Sequence, residues 1–599
     1  MANGALKVLH ALQESAEKHG SAIEVASQPE PGDGSEATAG NGSLASAIKT
    51  GCQGFCAFGP LVQVEGGPLY VKVQPSDADD IVRAANSGAV VERLIYHENG
   101  RSYTYKAEVP FYIPQQRISL VDCGRIDPES IDEAIAYGRY QALAKALMEM
   151  TPDQVISTVE DSGLRGRGGA GFPTGRKWRV TRQQAEPVKY VICNADEGDP
   201  GAFMNGYLIE GDPHRLLEGV LIAAYAIGAK QAFIYVRAEY PLAVARLTKA
   251  LADAEAEGLV GEHILATDFS CSIRLKLGAG AFVCGEETAL MASIEERRGM
   301  PRPRPPFPAQ AGLWGKPTVI NNVETLSQVP GIIANGAEWF RQRGKQGNTG
   351  TKTFSITGKV AHTGLVEVPF GTTLRTLIFD IGGGIGSGKP FKAVQIGGPA
   401  GGCLPAEHLD LPIDYESLTA AGAIVGSGGL VVLDQSDCMV EAARYFMHFT
   451  QSESCGKCVP CREGTKRMLE ILTRITEAKG TIEDIALLEE LATTVREGSL
   501  CGLGKNAPNP VLTTLRYFRD EYLAHVRDHS CPAGVCKGFA KYTIQAENCT
   551  GCGRCARECP TKAISGERGQ PYTIDESVCI HCGTCVEACK FGAIMEVIR

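Results

Sequence analysis

Twelve of the 22 cysteines in this 599-residue chain fall into three runs, and these runs constrain the fold more than any other feature. Near the C-terminus Cys549, Cys552, Cys555 and Cys559 follow C-x2-C-x2-C-x3-C and lead into Pro560, and Cys579, Cys582, Cys585 and Cys589 repeat the spacing. A tight loop with a thiolate at every third residue wraps one face of a four-iron cube. Where two such runs share a bacterial module, the fourth cysteine of each ligates the other cluster. The expected sets are therefore Cys549, Cys552 and Cys555 with Cys589, and Cys579, Cys582 and Cys585 with Cys559. Structural zinc usually uses C-x2-C pairs across a longer loop, so consecutive triplets fit it badly. The third run is Cys455, Cys458 and Cys461, with Cys501 far downstream. Three thiolates on one loop and one remote thiolate suit another [4Fe–4S] cluster.

A chain of this length holds about four or five domains. Its 44% hydrophobic and 21% charged residues are ordinary for globular protein. A net charge of −10 argues against nucleic acid as a partner. The longest apolar stretches are far short of a membrane span, and the first twenty residues lack the basic-then-apolar order of a signal peptide. So many free-thiol motifs point to a reducing compartment, the cytoplasm.

Residues 5–19 read as an amphipathic helix closed by Gly20, and 27–46 as a low-complexity loop rich in Gly, Pro, Ser and Ala. A β-like run at 61–73 and a helix at 78–86 suggest a small α/β domain ending near residue 110. Helical periodicity covers 130–149, and Thr151 with Pro152 opens a second helix closed by Gly163. Strands are expected at 188–192 and 232–236, short β segments over 350–430, and mostly helix over 437–525.

Two strings stand beside these elements. Residues 163–173 form a glycine-rich loop with Arg165 and Arg167, whose exposed amides suit anions, although such runs are more often plain turns. It is not a G-x-G-x-x-G after a strand, so a Rossmann site is not indicated. The strand at 188–192 runs into Cys193, Asn194, Ala195, Asp196, Glu197, Gly198 and Asp199, polar residues at a strand's carboxyl end, where ligands bind. An ordinary capped turn explains that string alone equally well.

With the strings Gly278 to Thr288 and Pro303 to Thr325, these segments resemble the NADH-binding flavoprotein subunit of the respiratory complex I family over about residues 120–505. The chain is most similar to the beta subunit of electron-bifurcating [FeFe]-hydrogenases, which adds a two-cluster ferredoxin domain. The resemblance implies a multidomain α/β and α+β chain. Its parts are a degenerate thioredoxin-like [2Fe–2S]-type domain (1–115), an FMN- and NAD(P)-binding core (116–345), an SLBB β-grasp domain (346–430), a helical [4Fe–4S] domain (431–540) and a 2[4Fe–4S] ferredoxin domain (541–599). It assigns cofactor binding to Gly166, Arg167, Gly168, Gly169, Ala170, Phe172 and Lys177. It adds Asn194, Asp196, Glu197 and Asp199, then Phe282, Gly285, Glu286 and Glu287, and finally Arg304, Phe307, Asn321, Asn322 and Thr325. Phe172 and Phe307 match aromatics that stack on the nicotinamide nucleotide. The implied chemistry is hydride transfer from NADH or NADPH to FMN, followed by single-electron transfer through three [4Fe–4S] clusters; no general acid or base is required. Val180, Asp199 and the pair Asn205-Gly206 depart from the complex I pattern and leave the choice of NAD or NADP open.

Cys52 and Cys56 resemble the second half of a [2Fe–2S] motif, but no cysteine precedes them, so two of four ligands are missing. Cys531 and Cys536 with His525 suit zinc with a fourth ligand from elsewhere, or a two-thiol structural hairpin. Cys193, Cys271, Cys284, Cys403 and Cys438 read as small buried apolar side chains. The implied function is an FMN-dependent oxidoreductase subunit of a cytoplasmic bifurcating hydrogenase. Its partners would be a terminal catalytic subunit, a small thioredoxin-like [2Fe–2S] subunit and soluble ferredoxin. A ferredoxin-linked transhydrogenase, an NAD(P)-dependent formate dehydrogenase and a non-catalytic electron-transfer scaffold are the alternatives.

Overall fold

The computed structural model describes residues 4–19 and 47–598; Gly20 and the stretch 27–46 lie outside them. The chain divides into two compact units. One spans Met1–Gly388, Val394–Gly398 and Glu407–Val432, the other Lys389–Ala393, Pro399–Ala406 and Leu433–Arg599.

In the first unit, α1 (Ala5–Lys18) turns Val8 and Leu12 inwards against α2 (Ala78–Ser87), which buries Ile81 and Val82. The β-like run between them is two short antiparallel strands, Val62–Gln63 and Leu69–Tyr70, because Gly66 turns the chain at a φ of 66°. The helical periodicity over 130–149 yields two helices, Ile131–Ala136 and Gln141–Glu149, rather than one. Gly138 and Tyr140 take φ values of 85° and 67°, which a right-handed helix cannot hold. Thr151 and Gln154 form the capping box that opens α3 (Pro152–Asp161), and α4 (Thr174–Arg182) follows the glycine loop.

The core is a parallel sheet of β1 (Tyr190–Ala195), β2 (Gln231–Arg237), β3 (Ser272–Gly278) and β4 (Thr318–Asn322), ordered β3-β2-β1-β4. Two helices, α5 (Met204–Gly211) and α6 (Pro213–Ile227), separate β1 from β2. α6 is buried on every side, and its polar His214, Arg215 and Glu218 lie inside with the apolar Leu216, Leu217, Val220, Leu221 and Ile222. Each such apolar side chain contributes roughly 1.5–3 kcal/mol. Two more helices, α7 (Glu287–Ile294) and α8 (Val323–Asn335), flank β4. β1 starts later and runs further than expected, because its polar end pairs with β4, Asn194 opposite Asn322. The chain moves from β1 to β2 and β3 on one side and returns to β4 on the other. That reversal makes the carboxyl ends of β1 and β4 a topological switch point. Beyond it, β5 (Thr351–Gly358) pairs antiparallel with β6 (Gly364–Pro369) and parallel with the start of β7 (Gly429–Asp434).

The second unit contains the helices α9 (Met439–Ser452), α10 (Val459–Thr476), α11 (Ile482–Gly498), α12 (Asn509–Tyr517) and α13 (Arg519–Val526), packed on Val440, Met447, Met468, Leu472 and Leu488. Strands β8 (Ala540–Ile544) and β9 (Ile594–Ile598) then pair antiparallel and enclose the two C-terminal cysteine runs. Among the described residues no helix is long and apolar enough to cross a membrane.

Candidate functional site

The segments singled out in the sequence meet at the switch point, and side-chain hydrogen bonds tie them together. Asn194 Nδ2 at the end of β1 donates to the Gly285 carbonyl at 2.9 Å. Lys177 Nζ on α4 reaches Glu287 Oε1 at 2.7 Å and the Ile320 carbonyl at 2.9 Å. Trp178 Nε1 donates to Asn321 Oδ1 at 2.8 Å, and the Arg167 amide to Thr325 Oγ1 at 2.9 Å. Arg304 Nη1 lies 3.4 Å from Glu287 Oε2. Glu286 is the N-cap of α7 and accepts from the Thr288 and Ala289 amides at 2.9 and 3.0 Å. Phe172 and Phe307 keep 46% and 52% of their surface exposed, which leaves both rings available for stacking.

The glycine loop folds back on itself, and Gly166 N donates to the Phe172 carbonyl at 2.8 Å. Gly169 takes a φ of 118°, and a Cβ on Gly171 would stand 2.6 Å from the Tyr415 ring, so neither position admits a side chain. The two arginines of the loop turn away from the switch point. Arg165 lies over the Tyr415 ring at 4.2 Å and pairs with Glu416 at 2.7 Å. Arg167, 1% exposed, donates to the carbonyls of Thr351, Thr349 and Arg165 at 2.9, 2.8 and 2.7 Å. Asn321 and Thr325 are also buried and hold Trp178 and the loop amide, so these three side chains build the wall from inside. Arg237 belongs to the same edge and carries no motif. It ends β2, its Nη1 is buried without a hydrogen-bond partner 3.6 Å from Asp196 Oδ1, and its only sequence signal is its place at the carboxyl edge of the sheet.

The carboxylates here are strongly perturbed. Burial pushes Glu197 up to about 7, against hydrogen bonds from the Asn205 and Gly206 amides at 3.0 Å each. Burial likewise pushes Asp199, which accepts from Ser427, up to about 6. Burial opposes ionisation of Glu287 too, but the Lys177 ammonium wins and holds it below the usual range. For Glu197 the folded chain keeps its proton at pH values where the unfolded chain has released it, so stability falls as pH rises from about 4.5 to about 7. Glu197→Gln is expected to remove a loss on the order of 1–3 kcal/mol over that window. Thermal midpoints at pH 5 and pH 7.5 test this, and an unchanged difference between the two pH values rejects it.

The cysteine runs gather as sets. Cys458 is the N-cap of α10, Cys461 sits buried in its first turn, and Cys501 immediately precedes the short helix Gly502–Asn506. Burial first, then the neighbouring Cys458, Cys501 and Cys455 thiols, push Cys461 up to about 11. Four thiols crowded in this way suit a cationic iron cluster that would reverse the shift. In the C-terminal module one cavity is lined by Cys559, Cys579, Cys582 and Cys585, and a second by Cys549, Cys552, Cys555 and Cys589. Each set joins three cysteines of one run to the last cysteine of the other.

Residues 159–331 match the family described as the Nuo51 FMN-binding domain, residues 441–525 the NADH-ubiquinone oxidoreductase-F iron–sulfur binding region, and residues 548–594 a 4Fe–4S dicluster domain. The NADP-reducing hydrogenase subunit HndC of Solidesulfovibrio fructosivorans is 55% identical over 457 residues, 76% of this chain and 93% of that protein. The chain belongs to the complex I 51 kDa flavoprotein family. Within it, an NADH-quinone oxidoreductase subunit of Rhizobium meliloti (strain 1021) is 46% identical over 397 residues, 66% of this chain and 94% of that protein. A crystal structure of an NAD+-reducing [NiFe]-hydrogenase in the H2-reduced state superposes with a TM-score of 0.62 at 33% identity, covering 80% of this chain and 77% of the other. This member of the 51 kDa family is thus an NAD(P)H-dependent FMN and iron–sulfur oxidoreductase subunit. Its residues fit the cofactors: a wall of converging polar groups beside a loop whose Gly169 and Gly171 admit no side chain for FMN, and all-thiol sets for iron.

Cys438 is not merely an apolar side chain, because it joins His525, Cys531 and Cys536 in a buried group whose ligand atoms all lie within 4.8 Å of one another. His525 Nδ1 faces the Glu521 carbonyl at 2.7 Å, which aims Nε2 at Cys438 Sγ (3.5 Å) and Cys536 Sγ (3.4 Å). Three thiols and one imidazole, the latter oriented by a backbone carbonyl, are the donor types that closed tetrahedral zinc sites use. Cys438 escapes sequence reasoning because it stands alone in the chain, at the N-cap of α9. Cys52 and Cys56 remain a pair, with Cys123 buried nearby.

Proposed function

We propose that this chain is the flavoprotein subunit of a cytoplasmic, electron-bifurcating, NAD(P)-dependent hydrogenase. The observation that carries the reading is one polypeptide holding the hydrogen-bonded wall at the β1–β4 switch point together with three four-thiol sets. The likeness to a subunit named for an NADP-reducing hydrogenase favours hydrogenase partners. Bound FMN supplies the exchange between a two-electron hydride and single electrons. This chain orients the reactants: Phe172 and Phe307 offer faces to the nicotinamide nucleotide, Asn194, Asp196 and Glu286 line the flavin side, and the three thiolate sets hold [4Fe–4S] clusters. The four buried donors around His525 hold zinc. The partners are a terminal catalytic subunit, a small thioredoxin-like [2Fe–2S] subunit and soluble ferredoxin, which exchanges electrons at the C-terminal module. The N-terminal part is read as a degenerate thioredoxin-like domain and residues 346–430 as an SLBB β-grasp domain.

Glu286→Ala tests the flavin assignment. Removing the cap of α7 costs about 1 kcal/mol locally and takes a carboxylate from the wall. FMN per chain, measured after denaturation, is expected to fall at least threefold, and NADH- or NADPH-driven dye reduction with it. Full flavin content with unchanged activity rejects the assignment.

A further inference from the structure

Arg237 ends β2 at the carboxyl edge of the sheet and is not among the assigned cofactor contacts. Its side chain is 13% exposed. Nη2 donates to the Gly280 carbonyl at 3.0 Å and to Glu239 Oε1 at 3.2 Å. Glu239 is 49% exposed, so solvent screens its charge. Nη1 is buried and has no hydrogen-bond partner among the described residues; Asp196 Oδ1, at 3.6 Å, is too far for one. A buried charged donor left without an acceptor is costly, and a group kept in that state calls for a functional reason.

The neighbouring backbone is built around this group. Arg237 stands opposite Gly278 of β3, and the chain after β3 meets it at the Gly280 carbonyl. A Cβ on Gly198 would stand 2.2 Å from Arg237 Nη1 and 3.0 Å from Phe282 Cδ2. Gly198 therefore leaves the room in which the guanidinium meets the chain after β1. One cation is held between two segments, and Asp196 and Phe282 on those same segments are read as flavin contacts.

A charge so enclosed acts on its neighbours with little screening. It is also permanent, because a guanidinium does not lose its proton in proteins. Accepting a hydride adds two electrons and one proton to FMN, a net gain of one negative charge. A fixed cation beside the flavin contacts favours that form over the oxidised one.

We propose that Arg237 is a positioning residue that raises the reduction potential of the bound flavin, through its fixed charge and its approach to Asp196. The proposal rests on reading the switch point as the FMN site.

The test uses the full chain, purified anaerobically with its flavin and clusters. Its flavin band is followed in a redox titration, with the cluster contribution taken from flavin-depleted protein. Arg237→Gln is expected to lower the two-electron midpoint by about 30 mV or more, which is a tenfold loss of preference for reduced flavin. Arg237→Lys, which keeps the charge, is expected to restore at least half of that shift. Gly198→Ala is expected to move the midpoint in the same direction as Arg237→Gln, because the added methyl displaces the guanidinium. An unchanged midpoint in flavin-loaded Arg237→Gln overturns the proposal, and so does an Arg237→Lys midpoint as low as that of Arg237→Gln. If Arg237→Gln holds no flavin, Gly198→Ala decides, and an unchanged midpoint there rejects the proposal. Unsubstituted protein that binds no FMN overturns the reading of the site and this proposal with it, whereas bound FMN at an unshifted potential overturns this proposal alone.

Discussion

Replacing Cys559 by Ala is expected to destroy the cluster bounded by Cys579, Cys582 and Cys585 and to spare the one bounded by Cys549, Cys552, Cys555 and Cys589. The physical reason is that each cavity of the C-terminal module is walled by three cysteines of one run and the last cysteine of the other. The short helices Arg554–Glu558 and Thr584–Ala588 carry Cys555 and Cys585 into one small apolar core, so the end of each run is delivered to its neighbour's cavity. A cube held by three thiolates loses iron readily, so anaerobic iron content should fall from about twelve to about eight atoms per chain, at four irons per cluster. Paramagnetic resonance after dithionite should show that one of the two C-terminal clusters persists. Loss of the Cys549 set instead would refute the crossed arrangement.

The second large effect is expected at Cys438. Cys438→Ser should lower bound zinc from about one per chain to a small fraction of that, since structural zinc sites are four-coordinate. The helical part of the second unit should lose stability with it. Cys438, Cys531 and Cys536 lie within the same apolar core as Met447, Leu472 and Tyr522, so in the variant two dry thiols, a hydroxyl and an imidazole would be left without the cation that balances them. Cys403→Ser is the control: Cys403 is equally buried but belongs to no such group, and zinc should stay bound. Metal analysis and thermal unfolding of both variants decide the matter. Zinc retained in Cys438→Ser, or absent from the unsubstituted chain, rejects the site.

Both predictions draw on features that the sequence revealed to different degrees. The three cysteine triplets were legible because their ligands are neighbours in the chain, and a three-residue repeat is enough to curve a loop around one cluster. The glycine loop was legible as a turn for the same reason. Arg167 was not. Its position in that loop pointed to the cofactor, but the buried carbonyls of Thr349 and Thr351 needed donors, and its guanidinium satisfies them. The continuous helix expected over 130–149 also failed, because apolar periodicity survives a break at Gly138 that only the backbone dihedrals reveal.

By itself, the sequence determined the elements whose chemistry is local: the cluster loops, the helix start at Thr151 and the polar end of β1. Only the tertiary structure decided which distant groups meet. It brought Cys438 to His525, set Asn194 beside Asn322 through the return of β4, and placed Arg237 at the same sheet edge. Ligands within a few residues of each other are positioned by backbone geometry that spacing encodes. Ligands separated by tens or hundreds of residues are positioned by packing, which depends on the whole core and leaves no mark in any one segment.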